Sequence, residues 1–118
     1  MANPVVHFEI VGKDQEALKD FYRQCFDWEI DSSNPMNYGM VNTGGGIGGT
    51  DDAAPRATFY VEVEDPQATL DKVEQLGGKV RMPVTDIPGG PVMALFTDLE
   101  GNVIGLVKGE GAEHTHPH

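Results

Sequence analysis

A strand followed by an amphipathic helix occurs twice in this sequence. Residues 5–10 and 58–63 alternate apolar with polar side chains, as a half-buried strand does. An aspartate that can cap a helix follows each strand: Asp14 in the first copy, and Asp65, directly before Pro66, in the second. The duplication therefore predicts two copies of one supersecondary unit, one in each half of the chain.

The apolar positions assign a face to each predicted element of the first copy. In the strand, Val6, Phe8 and Ile10 point to one side of the sheet, while His7 and Glu9 point to the other. We expect the following helix to cover the apolar side with six residues at helical spacing: Ala17, Leu18, Phe21, Tyr22, Cys25 and Phe26. Cys25 is then a core residue, and His7 and Glu9 lie on a face that no helix covers.

Short strands complete each copy. We expect them at 28–31, 37–42 and, weakly, around Ile47 in the first half, and at 79–85, 92–97 and 102–107 in the second. The second helix should bury Leu70, Val73 and Leu76. Turn residues such as Pro88-Gly89-Gly90 separate the later strands.

This order of elements predicts one α+β domain over residues 1–118. The domain consists of tandem βαβββ modules at about 4–50 and 57–108, a linker at 51–56 and a flexible tail at 109–118. Two such modules can form an open barrel with the helices outside and a cleft inside.

The glycine-rich run at residues 44–49 contains the spacing G-x-G-x-x-G. That spacing indicates a dinucleotide site only between a strand and a helix. Here Asp51, Asp52 and Pro55 follow, and they do not open such a helix. We interpret the run as part of a hairpin and as a flexible, adaptable wall of the cleft.

Charge and composition exclude several classes of partner. The formal net charge of −11 disfavours nucleic acid, which requires clustered Lys and Arg, and it disfavours anionic membrane surfaces. With one cysteine the chain has no internal disulfide, and no apolar run reaches the length of a membrane span. We expect a cytoplasmic protein whose acidity serves solubility.

Several segments of the two strand–helix units, and one run before the last strand, indicate a family. They are the segments 6–10 with Asp14, 59–63 with Asp65, and 76–80, and above all Asp98-Leu99-Glu100-Gly101-Asn102 before the last strand. With these segments the sequence resembles the vicinal oxygen chelate superfamily, which includes glyoxalase I, bleomycin-resistance proteins and extradiol dioxygenases. The resemblance covers residues 4–108 and implies the fold described above.

The resemblance also implies a metal site at four strand positions. Metal-dependent members place His or Glu there, and a divalent cation such as Zn, Fe, Mn or Ni polarises two neighbouring substrate oxygens. In this sequence only His7 matches, because Thr58 stands at the second His position and Gly105 at one Glu position. The other Glu position falls in the stretch 47–49, which offers no ligand. A single imidazole does not hold a catalytic metal, so we expect the usual metal site to be absent.

Five residues are predicted to line the cleft: His7, Glu9, Thr58, Tyr60 and Glu62. Glu9 and Glu62 share the face of the first ligand positions, so either could join His7 in a remodelled metal site. The alternative is that His7 and Glu9 are a polar pair in a wet cleft or are hydrogen-bonded to Tyr60. Tyr38 is a further candidate for cleft contacts, whereas Tyr22 is expected to pack in the core.

Three functions remain open. The first is a metal-free binding protein, like the bleomycin-resistance branch, which holds a small molecule and whose acidity suits a cationic ligand. The second is a metal-dependent lyase, isomerase or dioxygenase that uses His7 with Glu9 or Glu62. The third is an accessory module without a small-molecule role, which acts only through self-association or a protein partner. The resemblance implies a homodimer, and the terminal histidines, His114, His116 and His118, form a tract that can capture metal without a role in the cleft.

Overall fold

The chain forms two consecutive βαβββ modules, which confirms the predicted α+β class. The structure, a computed structural model, describes residues 2–50 and 55–109. Module one contains β1 (Val5–Gly12), α1 (Gln15–Phe26), β2 (Ile30–Asp31), β3 (Gly39–Val41) and β4 (Gly45–Gly49). Module two contains β5 (Arg56–Val63), α2 (Pro66–Gln75), β6 (Lys79–Asp86), β7 (Val92–Thr97) and β8 (Val103–Lys108). Most of the predicted linker and the terminal histidines lie outside the described residues.

The described chain divides into two compact units. One consists of residues 7–50 with 55–59, and the other of residues 2–6 with 60–109. The boundary between the units therefore falls inside β1 and β5. Neither α1 nor α2, the helices in the described part of the chain, is long and apolar enough to cross a membrane.

In module one the strands lie in the order β2-β3-β4-β1. β4 runs parallel to β1 and antiparallel to β3, and its Ile47 is completely buried. The glycine-rich run is thus a central strand of this sheet, so the expectation of a flexible wall is wrong. Glycine is needed there because aromatic rings approach both faces: Phe8 lies against Gly45, and Tyr38 lies against Gly46.

Helix α1 begins where the sequence predicts. The Asp14 side chain accepts a hydrogen bond from the Ala17 N–H at 3.1 Å, which makes Asp14 the N-cap. On the apolar side of the sheet, Tyr22 stacks on Trp28 with ring centroids 5.4 Å apart. Trp28 lies 5.5 Å from Phe8 by the same measure. Tyr22 and Phe8 therefore pack on the same tryptophan as predicted, whereas Val6, on the same side of β1, is 44% exposed, contrary to prediction.

The predicted buried face of α1 is wrong. Phe21 and Phe26 are 57% and 59% exposed, and Cys25 is exposed as well. The buried residue of this helix is Lys19, whose side chain has no exposed surface. The Lys19 ammonium donates to the Asn37 carbonyl and to Glu16 Oε2, and its long apolar stem is buried with it.

In module two the strands lie in the order β5-β8-β7-β6. Asp65 caps α2 through the Ala68 N–H, and Pro66 occupies the first turn, as predicted. A core of Val63, Leu70, Ala94 and Leu106 lies between α2 and the sheet. Leu76 is 69% exposed, contrary to prediction, because the helix ends at Gln75 and Leu76 is its C-cap.

Candidate functional site

Tyr38 connects two of the predicted site residues on the face of β1 opposite the aromatic packing. Its hydroxyl lies 2.9 Å from His7 Nε2 and donates a hydrogen bond of 2.9 Å to Glu9 Oε2. The rings of Tyr38 and His7 are nearly parallel, with an interplanar angle of 23°. All three residues are half-buried, so each keeps some surface exposed to solvent. The structure thus brings His7 and Glu9 together through Tyr38.

The direction of the Tyr38–Glu9 hydrogen bond favours one tautomer of His7. A tyrosine hydroxyl carries one hydrogen, and in this arrangement Tyr38 donates that hydrogen to Glu9 Oε2. His7 Nε2 must then carry its own hydrogen and donate it to the Tyr38 oxygen. The three groups form one directed chain, from imidazole through phenol to carboxylate, along which a proton can be passed.

The environment of His7 favours the neutral imidazole. Burial lowers the pKa of His7 below its ordinary value of 6.5, and the nearby Glu9 carboxylate offsets part of this effect. Near neutral pH the imidazole is therefore uncharged, and it acts as a hydrogen-bond donor rather than as a cation.

The lowered pKa of His7 predicts a pH dependence of stability. The folded chain binds a proton at His7 less readily than the unfolded chain, so the free energy of unfolding should fall as the pH drops below about 6.5. His7→Gln keeps an N–H donor but cannot titrate, so it should remove this contribution. Urea unfolding of both proteins at several pH values between about 7.5 and 5 measures the difference. Parallel pH curves for the two proteins would contradict the prediction.

Glycines on β4 form the floor under Tyr38. A Cβ at Gly46 would overlap the Tyr38 ring and hydroxyl, and a Cβ at Gly48 would lie 3.0 Å from the ring. Gly46 is the direct partner of Glu9 across the parallel β1–β4 pair. The ring consequently lies flat against backbone, in space that a side chain would otherwise occupy.

A short turn holds the backbone of Tyr38. The Asn34 side chain donates to the Tyr38 carbonyl at 2.7 Å and accepts from the Tyr38 N–H at 2.9 Å. Asn37, just before Tyr38, has a positive φ of 55°, which asparagine tolerates better than most residues. The asparagines around Pro35 mark a turn in the sequence, but their spacing does not indicate that the tyrosine after the turn reaches β1.

The three remaining predicted residues lie along β5. Thr58 is buried. Tyr60 is also buried, and its ring lies against Gly105 of β8, its direct cross-strand partner. Glu62 lies beside Gly109 in a shallow depression of module two, which Asn3 and Glu64 also line.

The residues present do not fit the family's metal. Gly105, which stands at the family's glutamate position in module two, is paired with Tyr60 across the β5–β8 pair. The corresponding pair in module one is Glu9 with Gly46. The glutamate position of module one is therefore Gly46, and the prediction of 47–49 is corrected. At both glycines an aromatic ring fills the space where the acidic side chain would extend. His7 and Glu9 both bind the Tyr38 hydroxyl. Among residues 2–50 and 55–109, no three or more His, Cys, Asp or Glu side chains are grouped as a metal site.

Comparison with known families and sequences gives a consistent result. The model of the Glyoxalase/Bleomycin resistance protein/Dioxygenase superfamily matches residues 5–106. The sequence is 34% identical over 107 residues to "Putative glyoxylase CFP32" of Mycobacterium bovis and Mycobacterium tuberculosis, an alignment that covers 79% of this chain. The chain spans 41% of the length of these relatives.

Solved structures show the same fold at low sequence identity. A superfamily member from Vibrio splendidus matches with a TM-score of 0.63 and 12% identity over 92% of this chain and 100% of its own. The Mn(II)-bound glyoxalase from Novosphingobium aromaticivorans matches with a TM-score of 0.58 and 18% identity over 91% of this chain and 40% of its own. At these identities the likeness establishes the fold alone.

Proposed function

The chain belongs to the Glyoxalase/Bleomycin resistance protein/Dioxygenase superfamily, and on this basis we propose that it binds a small organic molecule without a metal. The proposed site is the face of β1 that carries His7 and Glu9, together with the Tyr38 side chain that binds both. Thr58, Tyr60 and Glu62 remain predicted lining residues. The observation that supports the proposal most strongly is the Tyr38 hydroxyl, which binds His7, the one residue that matches a family ligand position, and also Glu9.

The chemistry of these side chains favours a cationic ligand with hydrogen-bonding groups. His7 is neutral because burial lowers its pKa, whereas Glu9 supplies a carboxylate. The net charge of −11 adds a long-range attraction for cations. An aromatic ligand could also stack on the half-exposed Tyr38 ring, whose face attracts cations.

A second candidate is a metal-independent enzyme that moves a proton, as an isomerase or a lyase does. The directed chain from His7 through Tyr38 to Glu9 favours it, because a general base and a general acid joined by a hydroxyl can exchange a proton. The metal-dependent form of this hypothesis is not supported by the donor set.

Metal content separates the metal-free proposal from a remodelled metal site. Protein purified by anion exchange, without metal-affinity resin, should contain well below one equivalent of Zn, Fe, Mn or Ni by elemental analysis. Truncation after Gly109, whose N–H bonds the Val63 carbonyl, removes the terminal histidines as a source of metal and keeps that contact. One tightly held equivalent that disappears in His7→Ala would overturn the proposal.

Thermal shift tests the ligand class. Metal-free bleomycin, a cationic aromatic compound, should raise the melting temperature, while pyruvate and catechol should not. A ligand at a hundredfold excess over its Kd stabilises the folded state by about 2.7 kcal/mol. Glu9→Gln should weaken the shift, whereas Glu29→Gln, at an exposed position of the same module, should leave it unchanged. A shift by catechol or pyruvate alone would favour the enzyme instead.

The homodimer that the family resemblance implies also remains a proposal. Phe21 and Phe26 of α1 are both more than half exposed, and Ala17 on the same helix is exposed too. Apolar side chains grouped on one exposed helix are more typical of a contact surface than of a face in water.

A further inference from the structure

Lys19 is an unusual residue in module one, because it is charged and fully buried. Its side chain has no exposed surface, although it stands in the middle of α1 on the surface of a small domain. Lysine is almost never fully buried without partners, since removing an ammonium from water carries a large free-energy penalty. A residue placed at such cost requires a physical reason.

The Lys19 ammonium is bound by two acceptors. Nζ donates to the backbone carbonyl of Asn37 at 2.8 Å and to Glu16 Oε2, one turn earlier on α1, at 3.2 Å. The same Glu16 oxygen accepts a hydrogen bond of 2.9 Å from the Asn37 side chain. These bonds from Asn37 and Lys19 lower the pKa of Glu16, so its carboxylate stays charged beside the ammonium.

These contacts hold the backbone on both sides of Tyr38. Asn37, whose carbonyl Lys19 binds, directly precedes the tyrosine. Gly39 directly follows it, and a Cβ on Gly39 would lie 2.9 Å from Lys19 Cε. The lysine stem therefore passes against one neighbour of Tyr38 while the ammonium binds the other. Without the lysine, the Asn37 carbonyl would lose a hydrogen-bond donor and Gly39 would lose a packing partner.

We propose that Lys19 is a positioning residue, which fixes Tyr38 over His7 and Glu9 by holding the peptide segment on either side of that tyrosine. The proposal rests on the proposed function, because it makes Lys19 part of the binding site although it does not line that site. Glu16 completes the arrangement by neutralising the ammonium. Glu16, Lys19 and Asn37 thus link α1 to the face of the sheet that α1 does not cover.

The position of the Tyr38 ring can be measured without any ligand. Because the ring lies against Gly46 and Gly48, its ring current should shift the α-hydrogen signals of these glycines in NMR spectra. Lys19→Met keeps an unbranched apolar chain of similar length and removes only the ammonium. In folded Lys19→Met, the Gly46 and Gly48 signals should move toward values free of the ring current. Lys72→Met, the same change at an exposed position of α2, should leave them unchanged.

A purely structural role would give a different result. Lys19→Met would then melt at a lower temperature, but the folded fraction would keep the wild-type Gly46 and Gly48 signals, and this would overturn the proposal. If Lys19→Met does not fold, Glu16→Gln decides, because it removes only the counter-charge at an exposed side chain. A smaller shift in the same direction is expected there, and unchanged signals would contradict the proposal equally.

Binding of metal-free bleomycin in the same samples separates the two proposals. If wild type binds it, Lys19→Met should bind at least tenfold more weakly, and Lys72→Met should bind as wild type does. An equal affinity in folded Lys19→Met would overturn the role of Lys19 in binding. If wild type does not bind it, the proposed ligand class fails, whereas the glycine signals still decide whether Lys19 positions Tyr38.

Discussion

Gly105→Glu, which places the family's acidic residue on β8, should destabilise module two rather than create a metal ligand. A Cβ at Gly105 would overlap the ring of Tyr60 and lie 2.7 Å from its Cγ, the atom least able to move. Tyr60 is only 6% exposed, so its ring has little room to turn away. Gly105→Ala should therefore lower the free energy of unfolding by about 1–3 kcal/mol through overpacking. Gly105→Glu should cost more, because it also buries a carboxylate.

A double-mutant cycle tests the cause of this loss. If the Tyr60 ring is what excludes a side chain at position 105, Gly105→Ala should cost much less in a Tyr60→Ala background, and urea unfolding measures the difference. Gly90→Ala, whose Cβ would meet no atom closer than Ile87 Cγ2 at 3.1 Å, should cost less than Gly105→Ala and controls for the substitution itself. Tight, stoichiometric metal binding by a stable Gly105→Glu protein would contradict the prediction.

The fold could be predicted because its signals are local. The alternation in β1 and β5 and the capping aspartates Asp14 and Asp65 lie within a few residues of the elements they define. The same is true of Pro66, which begins α2. Each of these signals is read from neighbours in sequence, so the duplicated order of elements was predictable before any contact was known.

The orientation of α1 could not be predicted in the same way. Its six apolar positions indicate one buried face, yet Phe21 and Phe26 remain exposed and Lys19 is buried. The burial of Lys19 depends on the carbonyl of Asn37, which is 18 residues away and is presented by a turn. Periodicity measures apolar character, and it contains no information about an acceptor supplied by another part of the chain.

The centre of the candidate site was only partly predictable. His7 and Glu9 share a face because they are two residues apart on a strand, and this follows from the sequence. That Tyr38 joins them depends on the approach of its ring to Gly46 and on the register of β4. The sequence predicts a weak strand around Ile47, which β4 confirms, but it does not indicate that the bare backbone of this strand allows aromatic rings to lie against it.

Tyr38→Ala should have a large effect on module one, because the ring covers Gly46 and Gly48 and its hydroxyl binds His7 and Glu9. We expect a loss of about 2–4 kcal/mol in the free energy of unfolding, less than for a fully buried aromatic ring. Tyr38→Phe keeps the ring and loses two hydrogen bonds, so it should cost about 1–2 kcal/mol. Urea unfolding at neutral pH measures both values, and the difference between them is the contribution of the ring.

In Tyr38→Ala, the space that the tyrosine ring leaves over Gly46 and Gly48 should accept a free phenol. In Tyr38→Ala the glycine floor remains, and His7 and Glu9 present the same donor and acceptor that bind the natural phenol. p-Cresol should therefore raise the melting temperature of Tyr38→Ala and leave wild type and Tyr38→Phe unchanged, because their rings fill the space. Toluene, which lacks the hydroxyl, should stabilise Tyr38→Ala less than p-cresol does. Equal stabilisation by both compounds would mean that the face binds through apolar contact alone, and that His7 and Glu9 do not select a ligand.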